Sequence, residues 1–215
     1  MNLSVPFAFL VASVSICGCA ADPPIHVEEP GKGGGTLERC GEGIYPCGPY
    51  GTVIGTQIRD LTFVGRRDVN RDGDVTNDPS TKIRLSQYFQ DKTIKVLVVL
   101  ASAEWCPPCK AEQPELVALW KKYQQEKTPV AFLETVIQDV TGKPAQIDVV
   151  DRWAKAYGIP FDMVADPTAV LGPYYDTAAF PMEMVITTAD MKIQAQWNGY
   201  QKGLVDSWVT TLLSE

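Results

Sequence analysis

Val96-Leu97-Val98-Val99-Leu100-Ala101-Ser102-Ala103-Glu104-Trp105-Cys106-Pro107-Pro108-Cys109 is the stretch that decides how this chain folds. A continuous apolar run leads into two cysteines separated by two residues, and a helix-like segment follows at 110–127. A strand that hands a CxxC pair to the first turn of a helix places a thiol among unpaired backbone N–H groups. There the thiolate, the reactive form of cysteine, is favoured. Pro107 suits the first helical position, where an N–H is orphaned and φ must be preset. In that geometry Cys106 sits at the helix cap, and Cys109, a turn further in, is the more buried. Cys106 is then the expected attacking thiol and Cys109 the resolving one.

Working outward, 94–100 reads as a buried central strand and 130–137 as a second. The helix at 107–126 carries Leu116, Leu119, Trp120 and Tyr123 at i, i+3, i+4 and i+7, and Pro114 should kink it. A helix at 147–157 ends at Gly158. Weaker strand signals lie at 58–64 and 83–85, and a short helix is expected at 168–174. Residues 182–187 and 192–197 alternate as a hairpin turning near Asp190, and a last helix spans 204–213. This order predicts an α/β domain with a central mixed β-sheet flanked by helices.

The N-terminal quarter is different in kind. Residues 3–16 are mostly apolar but too short to span a membrane, as a signal-peptide core is. Residues 19–39 carry Pro23, Pro24, Pro30 and Gly33-Gly34-Gly35, the composition of a flexible tether. The expected organisation is a signal segment at 1–18, the tether at 19–39, an entry loop at 40–51 and the folded domain at 52–215. An apolar fraction of 45% excludes wholesale disorder. The 26 acidic and 19 basic residues leave a net charge of −7 with no basic run, which argues against a nucleic-acid partner. The single histidine, His26, falls in the tether, so a histidine-assisted nucleophile is not expected.

Ile16-Cys17-Gly18-Cys19-Ala20 resembles the bacterial lipoprotein signal, which implies cleavage before Cys19 and a lipid on its sulfur. That would put the protein outside the cytoplasm, anchored to a membrane and facing the periplasm. The pattern departs in two ways: no Lys or Arg precedes Lys32, and Cys17 stands where Ala or Ser is commoner. A plain secretory signal cut nearby is the alternative. Cleavage and lipidation would leave four of the six cysteines, an even number as an oxidising compartment predicts. Cys40 and Cys47 enclose Gly41-Glu42-Gly43-Ile44-Tyr45-Pro46 and suit a small structural disulfide loop. A second redox pair is the sharper alternative, without the CxxC spacing or a following helix.

The element order and the motif at 105–109 together resemble the thioredoxin fold. More narrowly, they resemble the TlpA/ResA-like branch of membrane-tethered thiol–disulfide oxidoreductases, from about Thr52 onward. Lys110-Ala111-Glu112-Gln113-Pro114, Phe180-Pro181 and Thr188-Ala189-Asp190 carry the rest of the likeness. The resemblance implies a Cys106/Cys109 dithiol–disulfide cycle that needs no cofactor, a protein disulfide or dithiol as substrate and a separate redox partner. It implies that Glu112 carries a proton for Cys109, where composition alone would make it an exposed helix residue. It also implies a cis Pro181 presenting backbone to the substrate, and Trp105 shaping the active-site surface. Met182 stands where the family commonly has Thr. Pro107-Pro108 between the cysteines, with no histidine, favours a reductant or isomerase over a strong oxidant.

Residues 68–75 match the start of a calcium loop, with Asp68, Asn70 and Asp72 at positions 1, 3 and 5, Gly73 at 6 and Asp74 beside it. Position 12, which should hold a bidentate acid, is Pro79, with Asp78 one residue early. The segment reads as an acidic insertion, with a calcium site and a solvated surface loop both open. A non-catalytic, calcium-stabilised surface binding module is therefore the alternative from another class, opposed by the intact Cys106, Cys109 and Glu112. One CxxC supplies only two of the four ligands of structural zinc, which argues against a metal carrier. A peroxiredoxin would have Thr three residues before its reactive cysteine, and here that residue is Ala103.

Overall fold

A computed structural model describes residues 45–70 and 72–214, and the backbone alone of Arg39 and Cys40. The signal segment, Cys19, His26, nearly all of the tether and residues 41–44 lie outside the described residues. Two two-residue strands, β1 (Arg39–Cys40) and β2 (Tyr45–Pro46), pair antiparallel. Tyr45 is buried in the main core and its hydroxyl donates to the Ile58 carbonyl at 2.9 Å.

The main sheet has seven strands: β3 (Thr62–Arg66), β4 (Thr81–Arg84), β5 (Val96–Ser102), β6 (Val130–Val136), β7 (Asp162–Ala165), β8 (Met182–Thr187) and β9 (Lys192–Asn198). Their spatial order is β4-β3-β7-β6-β5-β8-β9. β5 is parallel to β6 and antiparallel to β8, and all seven of its residues are buried, as a strand covered on both faces requires. The α/β class with a mixed sheet is as the sequence predicts.

Helix α2 (Pro107–Glu126), α3 (Ile147–Tyr157) and α4 (Leu204–Ser214) share one core with Val96, Val98 and Leu100 of β5. The short α1 (Leu85–Gln90) packs with Leu97, Val99 and Ala101 on the opposite face. Alternation along β5 thus feeds two cores. Phe132 and Trp153 are each at most 2% exposed in the first. α2 and α3 have the bounds expected from periodicity, and Gly158 closes α3 with φ of 61°. The helix runs on through an exposed Pro114.

Several elements differ from expectation. The first long strand starts at Thr62, because residues before it turn back: the Leu61 N–H donates to the Arg59 carbonyl. The strand expected at 83–85 occupies Thr81–Arg84, and Leu85 opens α1. The helix expected at 168–174 is only a 3₁₀ turn, Gly172–Tyr174. β7 was not foreseen. It is short, and it is a strand because β3 and β6 bond to it on both sides.

β3 approaches β7 through Gly65. A Cβ there would lie 2.0 Å from the Met163 carbonyl oxygen and 2.6 Å from the Val164 Cα, both backbone atoms that cannot swing aside. Gly65→Ala is expected to destabilise the fold by about 3 kcal/mol or more, the upper range for overpacking. Urea unfolding would show this as a lower midpoint with an unchanged slope.

Candidate active site

β5 and β8 run antiparallel, with Ala101 opposite Met182, so the end of β5 and the start of β8 meet at one edge of the sheet. The CxxC follows β5 and Pro181 precedes β8. The topology therefore brings Cys106 and Pro181 together although 75 residues separate them in sequence. The Phe180–Pro181 peptide is cis.

Cys106 is the N-cap of α2, and its sulfur accepts the Cys109 N–H at 3.1 Å. Pro107 and Pro108 fill the first helical positions, where no N–H is needed. Cys106 and Cys109 are joined in a disulfide with Cα atoms 5.3 Å apart. Both are buried, Cys109 completely. Trp105, 41% exposed, stands beside them. Its indole N–H donates to the Gln138 side-chain oxygen at 2.8 Å, and its ring meets Phe180 edge-on at 5.9 Å. Phe180 in turn meets Tyr175 at 5.5 Å. An aromatic shelf thus flanks the cysteines, fixed to the 137–145 loop by Gln138. Gln138 and Tyr175 were not foreseen from the sequence, since nothing local distinguishes them.

Behind the cysteines the site is acidic and buried. Cys109, Glu112, Gln113 and Leu116 all lie on the buried stripe of α2. The stripe's i, i+3, i+4, i+7 spacing continues from apolar residues into polar ones. Glu112 is fully buried, contrary to the exposed position that composition alone suggests. Its pKa is pushed far above the carboxylate range, chiefly by burial and then by the charge of Glu183. Gln113 donates to the Cys109 carbonyl at 3.1 Å and to Glu134 Oε1 at 2.9 Å. Trp153 also donates to Glu134 Oε1, at 3.0 Å. Burial nevertheless raises the Glu134 pKa to about 7.

Glu134 was missed because its strand, Val-Ala-Phe-Leu-Glu-Thr-Val, reads as a buried apolar run, and Glu183 because Met-Glu-Met-Val-Ile-Thr reads as an alternating hairpin strand with a solvated face, whereas its first five residues are buried. The signal was available: a carboxylate inside a strand buried on both faces needs a partner or a proton.

The acidic insertion is organised by its own backbone. Asp68 accepts the N–H groups of Asp72 and Gly73, Asp72 that of Asp74, and Asp74 that of Thr76. The buried Asp78 instead accepts the Val69 N–H. Among the described residues no group of three or more His, Cys, Asp or Glu side chains is placed to hold a metal ion. Cys47 is disulfide-bonded, and the Cys40 side chain lies outside the described residues.

The sequence profile of the AhpC/TSA family matches residues 67–195, and the chain belongs to that family. Among curated proteins no sequence match was found. Similar solved structures include a secreted thiol–disulfide isomerase from Corynebacterium glutamicum, at 17% identity and TM-score 0.53, covering 73% of this chain and 85% of that one. Another is the pneumococcal exposed lipoprotein thioredoxin Etrx1 from Streptococcus pneumoniae, at 21% identity and TM-score 0.52, covering 73% and 100%. A third, provisionally described as the thiol:disulfide interchange protein DsbE, from Chlorobium tepidum, has 16% identity and TM-score 0.55, covering 76% and 98%. These likenesses establish a thioredoxin-like fold. Family, fold and a helix-capping cysteine pair together place the protein among the thiol–disulfide oxidoreductases.

The raised pKa of Glu134 has a sign for stability. The folded state binds its proton more tightly than the unfolded state, so this contribution is full below about pH 4.5 and is lost as pH rises through about 7. Glu134→Gln removes the effect. Relative to wild type, the variant is expected to gain about 3 kcal/mol in unfolding free energy between about pH 4 and pH 8, from 1.36 kcal/mol per pKa unit. Parallel urea titrations at the two pH values would measure it.

Proposed function

We propose that the protein is an exported thiol–disulfide oxidoreductase that cycles Cys106 and Cys109 between dithiol and disulfide on protein substrates. The observation that carries this reading is the Cys106 sulfur seated on the N-terminus of α2, accepting a backbone N–H that would equally donate to a thiolate. Cys106 attacks a substrate disulfide and forms a mixed disulfide with it. Cys109, held one turn inside the helix, then attacks the Cys106 sulfur, releases the substrate thiol and closes the enzyme disulfide. Glu112 moves the proton of Cys109. Pro181 presents backbone to the substrate chain, and the Trp105–Phe180 edge gives it an apolar wall.

Net reduction or isomerisation is the favoured direction, since Pro107-Pro108 brings no further charge to stabilise the thiolate. Ala103, without a hydroxyl, speaks against the peroxidase chemistry that the family name also covers. Export follows from the apolar segment at 3–16, and is supported by the secreted and lipoprotein character of two structural neighbours. Cys19 carries the lipid, and Cys40 closes a structural disulfide with Cys47. Calcium has no part in the redox step. The oxygens of Asp68, Asn70, Asp72 and Asp74 would at most stiffen their own loop.

Cys109→Ser, expressed in the native host, is expected to accumulate partner proteins bound to Cys106 and visible on non-reducing gels, and Cys106→Ser to trap none. Wild-type protein should reduce an added protein disulfide, and both variants should fall to background. No trapped partner together with no reduction by wild type would end the enzyme reading. Mass spectrometry of the mature chain should find its first residue to be a lipidated Cys19, and an unmodified Cys19 or a later start would contradict the anchor.

A further inference from the structure

Glu183 has no role in the cycle as described. It lies two residues after Pro181 and is 1% exposed. In the sheet it stands opposite Leu100, which on its other side stands opposite Glu134, while Trp197 of β9 flanks Glu183. One rung across the central strands therefore carries Glu134, Leu100, Glu183 and Trp197 on the face covered by α2. α2 sets two consecutive polar residues down on that rung. Gln113 goes to Glu134, with a hydrogen bond of 2.9 Å. Glu112 is left to Glu183, the foremost charge acting on it.

This pair is unsatisfied in a specific way. Both carboxylate oxygens of Glu112, and Oε2 of Glu183, are buried and accept no hydrogen bond from any described group. The other groups acting on the pair are Glu134 from β6, Glu115 from α2, the Trp197 indole from β9 and the Tyr200 hydroxyl from the segment after β9. None of them is a cation. Glu115 itself is occupied with the Tyr200 hydroxyl and the Gly203 N–H. Two adjacent buried carboxylates cannot both ionise cheaply. A single proton between them removes one charge and supplies an O–H donor to the facing oxygen.

We infer that Glu112 and Glu183 hold one proton between them, and that Glu183 is the positioning residue that keeps Glu112 an acid for the sulfur of Cys109. The inference rests on the oxidoreductase reading. When a donor thiolate attacks Cys106 Sγ, a new S–S bond forms and the Cys106–Cys109 bond breaks. Its electron pair leaves with Cys109 Sγ. The proton on Glu112 goes to that sulfur, and the pair regains one from water. In the opposite direction Cys109 returns its proton to the pair as its sulfur attacks the mixed disulfide. A lone carboxyl serves in only one protonation state at a given pH. A pair sharing one proton serves as donor and acceptor over the whole interval between its two titrations.

Infrared spectra of the full-length protein in its disulfide form test the pairing at about pH 9, where an ordinary carboxyl is ionised and Glu134, at about 7, is too. Wild type is expected to keep a protonated-carboxyl C=O band, and Glu183→Gln and Glu112→Gln each to lose it. Reduction of the Cys106–Cys109 disulfide by dithiothreitol at that pH should slow at least about ten-fold in Glu183→Gln, the low end for a lost proton transfer. The difference should shrink toward about pH 6, where burial keeps Glu112 protonated even without Glu183. No band in wild type, or a band that survives in Glu183→Gln, overturns the shared proton without reference to any variant's turnover. A lost band with rates equal at every pH overturns the role given to Glu183. A wild type that keeps the band but reduces no protein disulfide would refute the oxidoreductase reading and leave the pairing standing.

Discussion

The hydrogen bond from the Cys109 N–H to the Cys106 sulfur ties the strand, the helix and the chemistry together. It exists because β5 ends at Ser102 and α2 begins at Pro107, leaving a short turn that must deliver a side chain to the orphaned N–H groups of the first helical turn. Ser, Thr, Asp or Asn is the usual cap. A cysteine there makes the same contact with an atom that can also attack. The two prolines that follow remove donors that would otherwise need partners. The cap of the helix and the proposed nucleophile are thus one atom.

That junction is rigid because β5 is held on both sides and covered on both faces. Its partners arrive in opposite senses: β6 in parallel, bringing Glu134 to the level of Leu100, and β8 antiparallel, bringing Pro181 to the cysteines and Glu183 to the other flank of Leu100. The site is consequently two-sided. Toward solvent it shows Trp105 and the aromatic contact with Phe180. Toward the core it shows three carboxyls whose pKa values all rise with burial. Burying carboxylates costs stability, and their concentration behind the Cys106–Cys109 disulfide supports the proton handling proposed there.

The sequence made the outer half of this site readable. Cys106, Cys109, Trp105 and Pro181 are marked by motif and by chain order. The bounds of α2 and α3 follow from apolar periodicity and terminal signals such as Gly158. The inner half was harder. Glu134 looks like an isolated polar letter in an apolar strand and Glu183 like the polar phase of an alternating one, and only register shows that they share a rung. β7, with three apolar residues between Asp162 and Asp166, is a strand by virtue of its neighbours. α1, with Arg84 at its cap and six residues, is too short for propensity to announce. In the acidic insertion, Asp68, Asp72 and Asp74 accept the loop's own N–H groups, a use of those carboxylates that ligand-like spacing does not reveal.

The most direct test of the capping-nucleophile account is site-resolved alkylation of the reduced protein at about pH 7. After brief treatment with iodoacetamide, peptide mass mapping would compare Cys106 with Cys109. The account predicts that Cys106 reacts at least about ten-fold faster, as a thiolate capping the helix should against a thiol held one turn inside it. Equal rates, or faster modification of Cys109, would contradict it.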